Sequence, residues 1–122
     1  MDVLVVDDDE EIRALVSEVL VDEGYDVRQA THGREAMDML EESGQGLPSL
    51  ILLDLMMPVM DGLEVLELLA ASERLRHIPV IVTTAAPDKA VGRPIASVIQ
   101  KPYGITALLE EIRRCEGRTA LS

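Results

Sequence analysis

The chain has 122 residues, 48% of them hydrophobic and 28% charged, proportions of an ordinary globular domain and not of a disordered tail. With 11 Lys and Arg against 23 Asp and Glu, the net charge of −12 disfavours direct nucleic-acid contact, which needs a basic footprint, and anionic membrane surfaces. No apolar run approaches the ~20 residues of a membrane span, nothing resembles a signal peptide, and the lone Cys115 allows no intrachain disulfide, so one domain over residues 1–122 in a reducing, cytoplasmic setting is expected.

Val3 to Val6 is a continuous apolar run, as expected of a central strand covered on both faces. Ile12, Leu15, Val16, Val19 and Leu20 then recur at helical spacing, and Gly24 supplies a stop. Tyr25 to Ala30 alternates apolar and polar, which suits an edge strand. Gly33 to Ser43 reads as a helix with Ala36, Met39 and Leu40 inward, ended by Gly44 and Gly46. Leu50 to Leu53 is a second central strand and Leu63 to Ala71 a leucine-rich third helix. Ile78 to Thr83 is a fourth strand with Pro79 near its start, and Ala96 to Gln100 a short fifth. Ile105, Leu108, Leu109 and Ile112 define a last helix that frays beyond Gly117 and carries Cys115 on its apolar stripe as a small hydrophobe. Phe and Trp are absent, so the core must be aliphatic. The alternation argues for an α/β domain with a parallel sheet.

The ends of the apolar runs carry the chemistry. The first exits into Asp7-Asp8-Asp9, the third strand into Asp54, the fourth into Thr83-Thr84 and the fifth into Gln100-Lys101-Pro102. In a parallel sheet these groups converge on one edge, where open α/β sheets place their sites. Asp54 is the candidate nucleophile, since a carboxylate can attack phosphorus and form an acyl phosphate. Asp7 and Asp8 are candidate ligands for magnesium, which prefers oxygen donors and takes one or two carboxylates. Asp9, Glu10 and Glu11 suit the start of a helix instead. Lys101 could pair with Asp54 and then with a phosphoryl oxygen. One of Thr83 and Thr84 should present its hydroxyl to the site, and alternation alone does not say which.

Val5-Val6-Asp7-Asp8, Leu53-Asp54-Leu55-Met56-Met57-Pro58, Met60-Asp61-Gly62, Thr84-Ala85 and Lys101-Pro102 resemble, in order and over almost the whole chain, the receiver domain of response regulators in two-component systems. The resemblance implies a flavodoxin-like five-stranded parallel sheet in the order 2-1-3-4-5 with helices on both faces. It implies that Asp54 is the phosphoacceptor, that Asp7, Asp8, Asp54 and the Met56 carbonyl surround magnesium, that Thr84 is the switch hydroxyl and Lys101 the site lysine, and that a cis peptide precedes Pro102. It further implies a bacterial phosphorelay protein that is not an enzyme beyond its own phosphorylation and dephosphorylation. Its partners would be a histidine kinase or histidine phosphotransfer protein and a downstream protein, with no nucleic acid and no membrane.

Two positions depart from that pattern. Val98 stands three residues before Lys101, where many receivers carry a rotating aromatic switch residue. The fourth helix should be short or missing: Pro87 and Asp88 can start it, but Gly92 and Pro94 confine it to about one turn. These departures motivate a second reading, a non-switching interaction or dimerisation module. An aspartyl phosphatase is disfavoured, because its second acid would fall at position 56, which is Met56.

Overall fold

A computed structural model describes residues 1–44, 46–93 and 95–121, with side chains described through Glu116. In chain order the elements are β1 (Asp2–Val6), α1 (Glu10–Asp22), β2 (Asp26–Ala30), α2 (Gly33–Glu42), β3 (Leu50–Asp54), α3 (Gly62–Ala71), β4 (Val80–Thr84), a 3₁₀ turn (Pro87–Ala90), β5 (Ser97–Gln100) and α4 (Ile105–Leu121). The strands form one parallel sheet in the order β2-β1-β3-β4-β5, the flavodoxin-like order expected. Among the described residues no helix is long and apolar enough to cross a membrane.

The two-residue strand period sorts the core onto two faces. Leu4, Val6, Ile51, Leu53 and Val82 face α2, α3 and the 3₁₀ turn. Val3, Val5, Leu50, Leu52 and Ile81 face α1 and α4, with Cys115 among them. Each fully buried Leu or Ile contributes roughly 1.5–3 kcal/mol of transfer free energy. Every residue of β3 and β4 is buried, which explains their unbroken apolar runs.

Several local expectations need correction. Leu15 is exposed, because its side chain lies at the mouth of a crevice between α1 and the segment from Pro102 to Ile105 and does not reach the sheet. On α2 Met37, which the spacing did not single out, is deeply buried, while Met39 packs half-buried against the same core as expected. The last helix extends past Gly117 as far as Leu121. β4 begins at Val80, after the proline, and ends one residue later than expected, at Thr84.

The fourth crossover is as short as its sequence suggests. Pro87–Ala90 is a single 3₁₀ turn with Asp88 in its first turn, and Gly92 follows with a φ of +80°. Pro94 lies outside the described residues.

The loop after β3 carries a strained residue. Val59 has a φ of +69° and is 77% exposed. A β-branched residue in the left-handed region costs of order 1–3 kcal/mol, whereas Asn visits it readily. Val59→Asn is expected to stabilise the fold by about 1 kcal/mol and to raise Tm by roughly 3–6 °C. Calorimetry showing no gain would contradict the strain.

Candidate functional site

Parallel register brings the strand ends together. Val6 lies opposite Leu53 and Asp54 opposite Thr83, so Asp7, the residue after β1, comes beside Asp54, the last residue of β3. By the strand period both project toward the α1 and α4 side. Each is 4% exposed, whereas Asp8 is exposed. Lys101, just past β5, sends its Nζ between them, 3.1 Å from Asp7 Oδ2 and 3.4 Å from Asp54 Oδ2. The Lys101–Pro102 peptide is cis. The Lys101 amide donates to the Thr84 carbonyl, and the Leu55 amide to the Thr83 carbonyl, which holds the strand exits in register.

Carboxylate oxygens of Asp7, Asp8 and Asp54 lie within 4.8 Å of one another, and all are hard oxygen donors of the kind magnesium prefers. The donor set therefore fits a divalent cation. Asp7 is fixed by its own loop, with Oδ1 accepting from the Asp9 amide at 2.9 Å. Asp9 caps α1 and accepts from the Glu11 and Ile12 amides, as its position suggested. The Met56 amide donates to Asp54 Oδ1 at 3.2 Å, which places Met56 against the carboxylate.

The two threonines separate as the strand period requires. Thr83 lines a small crevice with Asp7 and Tyr103 on the α1 and α4 side. Thr84 is fully buried, and its Oγ1 accepts from the Ala86 amide at 3.0 Å.

Residues 3–113 match the family model described as the response regulator receiver domain. The chain belongs to that family. DivK of Brucella ovis, a polar-differentiation response regulator, is 34% identical over 116 residues, 91% of this chain and 92% of DivK. RpaA of Synechocystis, a DNA-binding dual master transcriptional regulator, is 37% identical over 122 residues, 96% of this chain; the receiver spans about half of RpaA, 49% of its length. The solved structure of the chemotaxis response regulator CheY4 of Vibrio cholerae superposes with a TM-score of 0.79 at 32% identity, covering 93% of this receiver and 97% of CheY4. Receiver domains act in phosphorylation-dependent two-component signalling.

Electrostatics in this receiver's site are dominated by burial. Asp54 is pushed up to about 6: burial disfavours its charge, Lys101 pulls against that, Asp7 raises it, the Met56 N–H lowers it and a hydrogen bond with Asp8 raises it. Burial alone would lower Lys101, but Asp54 and Asp7 outweigh it and hold the ammonium above its usual value. A metal held by Asp54 would need it ionised, so protons would compete with that metal as pH falls through about 6. Magnesium affinity measured by titration calorimetry is therefore expected to be several-fold weaker at pH 5.5 than at pH 7.5. An unchanged affinity across that window would contradict the assignment.

Two neighbours of the site gave no signal in the sequence. Arg13 donates through Nη1 to the Asp7 carbonyl at 2.9 Å and through Nε to Gln29 Oε1 at 3.2 Å, bracing the acid loop from α1. Tyr103 sits close enough that Lys101, Asp7 and Asp54 all act on its hydroxyl, which burial pushes up. Val98 is half-buried on the opposite face of the sheet, packed against the α2 and α3 core.

Proposed function

We propose that Asp54 accepts a phosphoryl group from a phosphohistidine on a histidine kinase or histidine phosphotransfer protein. The observation that carries this reading is the Lys101 ammonium held between the buried carboxylates of Asp7 and Asp54. An Asp54 oxygen attacks phosphorus as the bond to the imidazole nitrogen breaks; an acyl phosphate forms and the imidazole leaves with its electron pair. Lys101 is already within ion-pair distance of the attacking carboxylate, so it can follow the charge onto the phosphoryl oxygens. The Thr84 oxygen now accepts from the Ala86 amide on the other face of the sheet, so Thr84 would have to turn toward Asp54 before its hydroxyl donates to the incoming group. Asp7, Asp8, Asp54 and the Met56 carbonyl would hold magnesium, which supplies positive charge against the phosphoryl oxygens. The protein acts only on its own phosphorylation and dephosphorylation, since Met56 provides no second acid for turnover on other substrates.

Incubation with acetyl phosphate and magnesium tests this reading by mass. Gain of one phosphoryl group supports it; no gain points to the non-switching interaction module, and sustained hydrolysis of unrelated phosphomonoesters to a phosphatase. The absence of a nucleic-acid contact is proposed for these 122 residues alone, on their net charge of −12. A cytoplasmic location and a single receiver domain over residues 1–122 belong to the same proposal.

Output by protein contact would begin at the fourth crossover. Val98 offers no ring to rotate, while Lys89 of the 3₁₀ turn approaches the Met56 sulfur at 4.0 Å and so links the crossover to the Asp54 loop. Phosphorylation is expected to change hydrogen exchange across residues 85–95 more than elsewhere outside the site loops. Identical exchange of that segment in both states would refute this route.

A further inference from the structure

Met56 and Met57 stand side by side in the loop after β3, and Met60 follows in the same loop, yet they differ sharply in exposure. Met57 is 9% exposed and Met60 5%, both packed in the core with residues of α2 and α3. Met56 is 56% exposed, and among the described residues it is the methionine most open to solvent.

The exposed side chain is nevertheless anchored. The Met56 amide donates to Asp54 Oδ1 at 3.2 Å, and its sulfur accepts from the Lys89 ammonium at 4.0 Å. A thioether is a weak acceptor, so that ammonium is poorly satisfied. Among the described residues Lys89 forms no ion pair. Lys89 belongs to the 3₁₀ turn, so this one contact ties the crossover to the loop that carries Asp54.

We propose that Met56 is a site of reversible oxidation by hydrogen peroxide, and that its sulfoxide locks the crossover onto the Asp54 loop through Lys89. The sulfur lone pair attacks one peroxide oxygen, the O–O bond breaks, and the second oxygen leaves as hydroxide. The proton on the transferred oxygen passes to that hydroxide, so the products are the sulfoxide and water. Sulfur is oxidised and the peroxide reduced, by one electron pair. A sulfoxide oxygen accepts strongly where the thioether accepted weakly, and the ammonium that bonds it is already in place. The modification does not depend on phosphorylation of Asp54; its bearing on output rests on the proposed route through the crossover.

Brief treatment of the unphosphorylated protein with dilute hydrogen peroxide, followed by peptide mass mapping and hydrogen exchange, tests both halves. Met56 is expected to gain oxygen before Met39, Met57 and Met60. Exchange across residues 86–91 should then slow about threefold, the worth of a modest exposed hydrogen bond. Lys89→Ala should oxidise equally at Met56 without the slowing, and Met56→Leu should show neither effect. Both variants change exposed side chains, so the fold is retained. Methionine sulfoxide reductases of both stereospecificities should restore the original exchange. Overturning results are oxidation of Met57 or Met60 as fast as Met56, unchanged exchange in the oxidised protein, or equal slowing in Lys89→Ala. No phosphodonor is present, so a chain that never accepts phosphate on Asp54 would still pass this test.

Discussion

Asp54→Asn is expected to abolish phosphorylation by acetyl phosphate and by any phosphohistidine donor, with no residual mass gain at neighbouring acids. Asp7 is as buried as Asp54 but more tightly held, its Oδ2 by Lys101 at 3.1 Å against 3.4 Å for Asp54 and its Oδ1 by the Asp9 amide at 2.9 Å against 3.2 Å from the Met56 amide to Asp54, so it is the less free of the two to attack. The same substitution should not unfold the protein. Asp54 titrates near 6 in the fold, above its ordinary 3.8, so its ionised form disfavours folding above pH 6, and that penalty disappears as pH falls below about 4. The Asn variant, free of the penalty, should at pH 7 match or exceed the thermal stability of the metal-free wild type. As pH drops from 7 to 5 the wild type should gain on it. Undiminished labelling of the variant would remove Asp54 from its role.

Gly62→Ala and Gly33→Ala are expected to be the most damaging small substitutions near the site. A Cβ on Gly62 would stand 2.7 Å from both the Asp54 carbonyl oxygen and Leu55 Cα, backbone atoms that cannot step aside. A Cβ on Gly33 would meet the Met60 carbonyl oxygen and come within 2.7 Å of Val65 Cγ2. The two glycines also clamp the loop after β3, with Gly62 N–H donating to Leu55 at 2.9 Å and Gly33 N–H to Met60 at 3.1 Å. Overpacking against fixed backbone should cost about 3 kcal/mol and lower Tm by about 10 °C or more. Gly104→Ala is the control: its Cβ would meet nothing within 4 Å, and a change under about 1 kcal/mol is expected. A Gly62→Ala protein as stable as that control would mean the loop yields more easily than its contacts imply.

The strands and the site were legible for one reason. Residues buried on both faces of a sheet must be apolar, so Asp7 and Asp54 stood out at the ends of Val3–Val6 and Leu50–Leu53. Lys101 was legible because a cation before Pro102 matched the same strand exit. Helix faces were harder to read. Leu15 has the right spacing for burial and is exposed, because a neighbouring crevice and not spacing decides its surroundings. Arg13 and Tyr103 were invisible because their roles depend on how α1 and the segment after β5 meet the sheet, which no local pattern encodes. The left-handed Val59 could not be foreseen either, since valine is among the residues least suited to that backbone.

The partition of the sheet into two faces has a genetic consequence. The charged groups of the site come from the ends of β1, β3 and β5, and the carboxylates project to the α1 and α4 side, whereas the 3₁₀ turn packs on the other side and contributes none of them. Alleles of this gene should therefore fall into two separable classes. Lesions at the strand ends would leave a protein blind to its donor, and lesions in residues 85–95 one that takes up phosphate yet stays mute. Co-expressed copies from the two classes should not restore signalling, because uptake and output must reside in the same polypeptide.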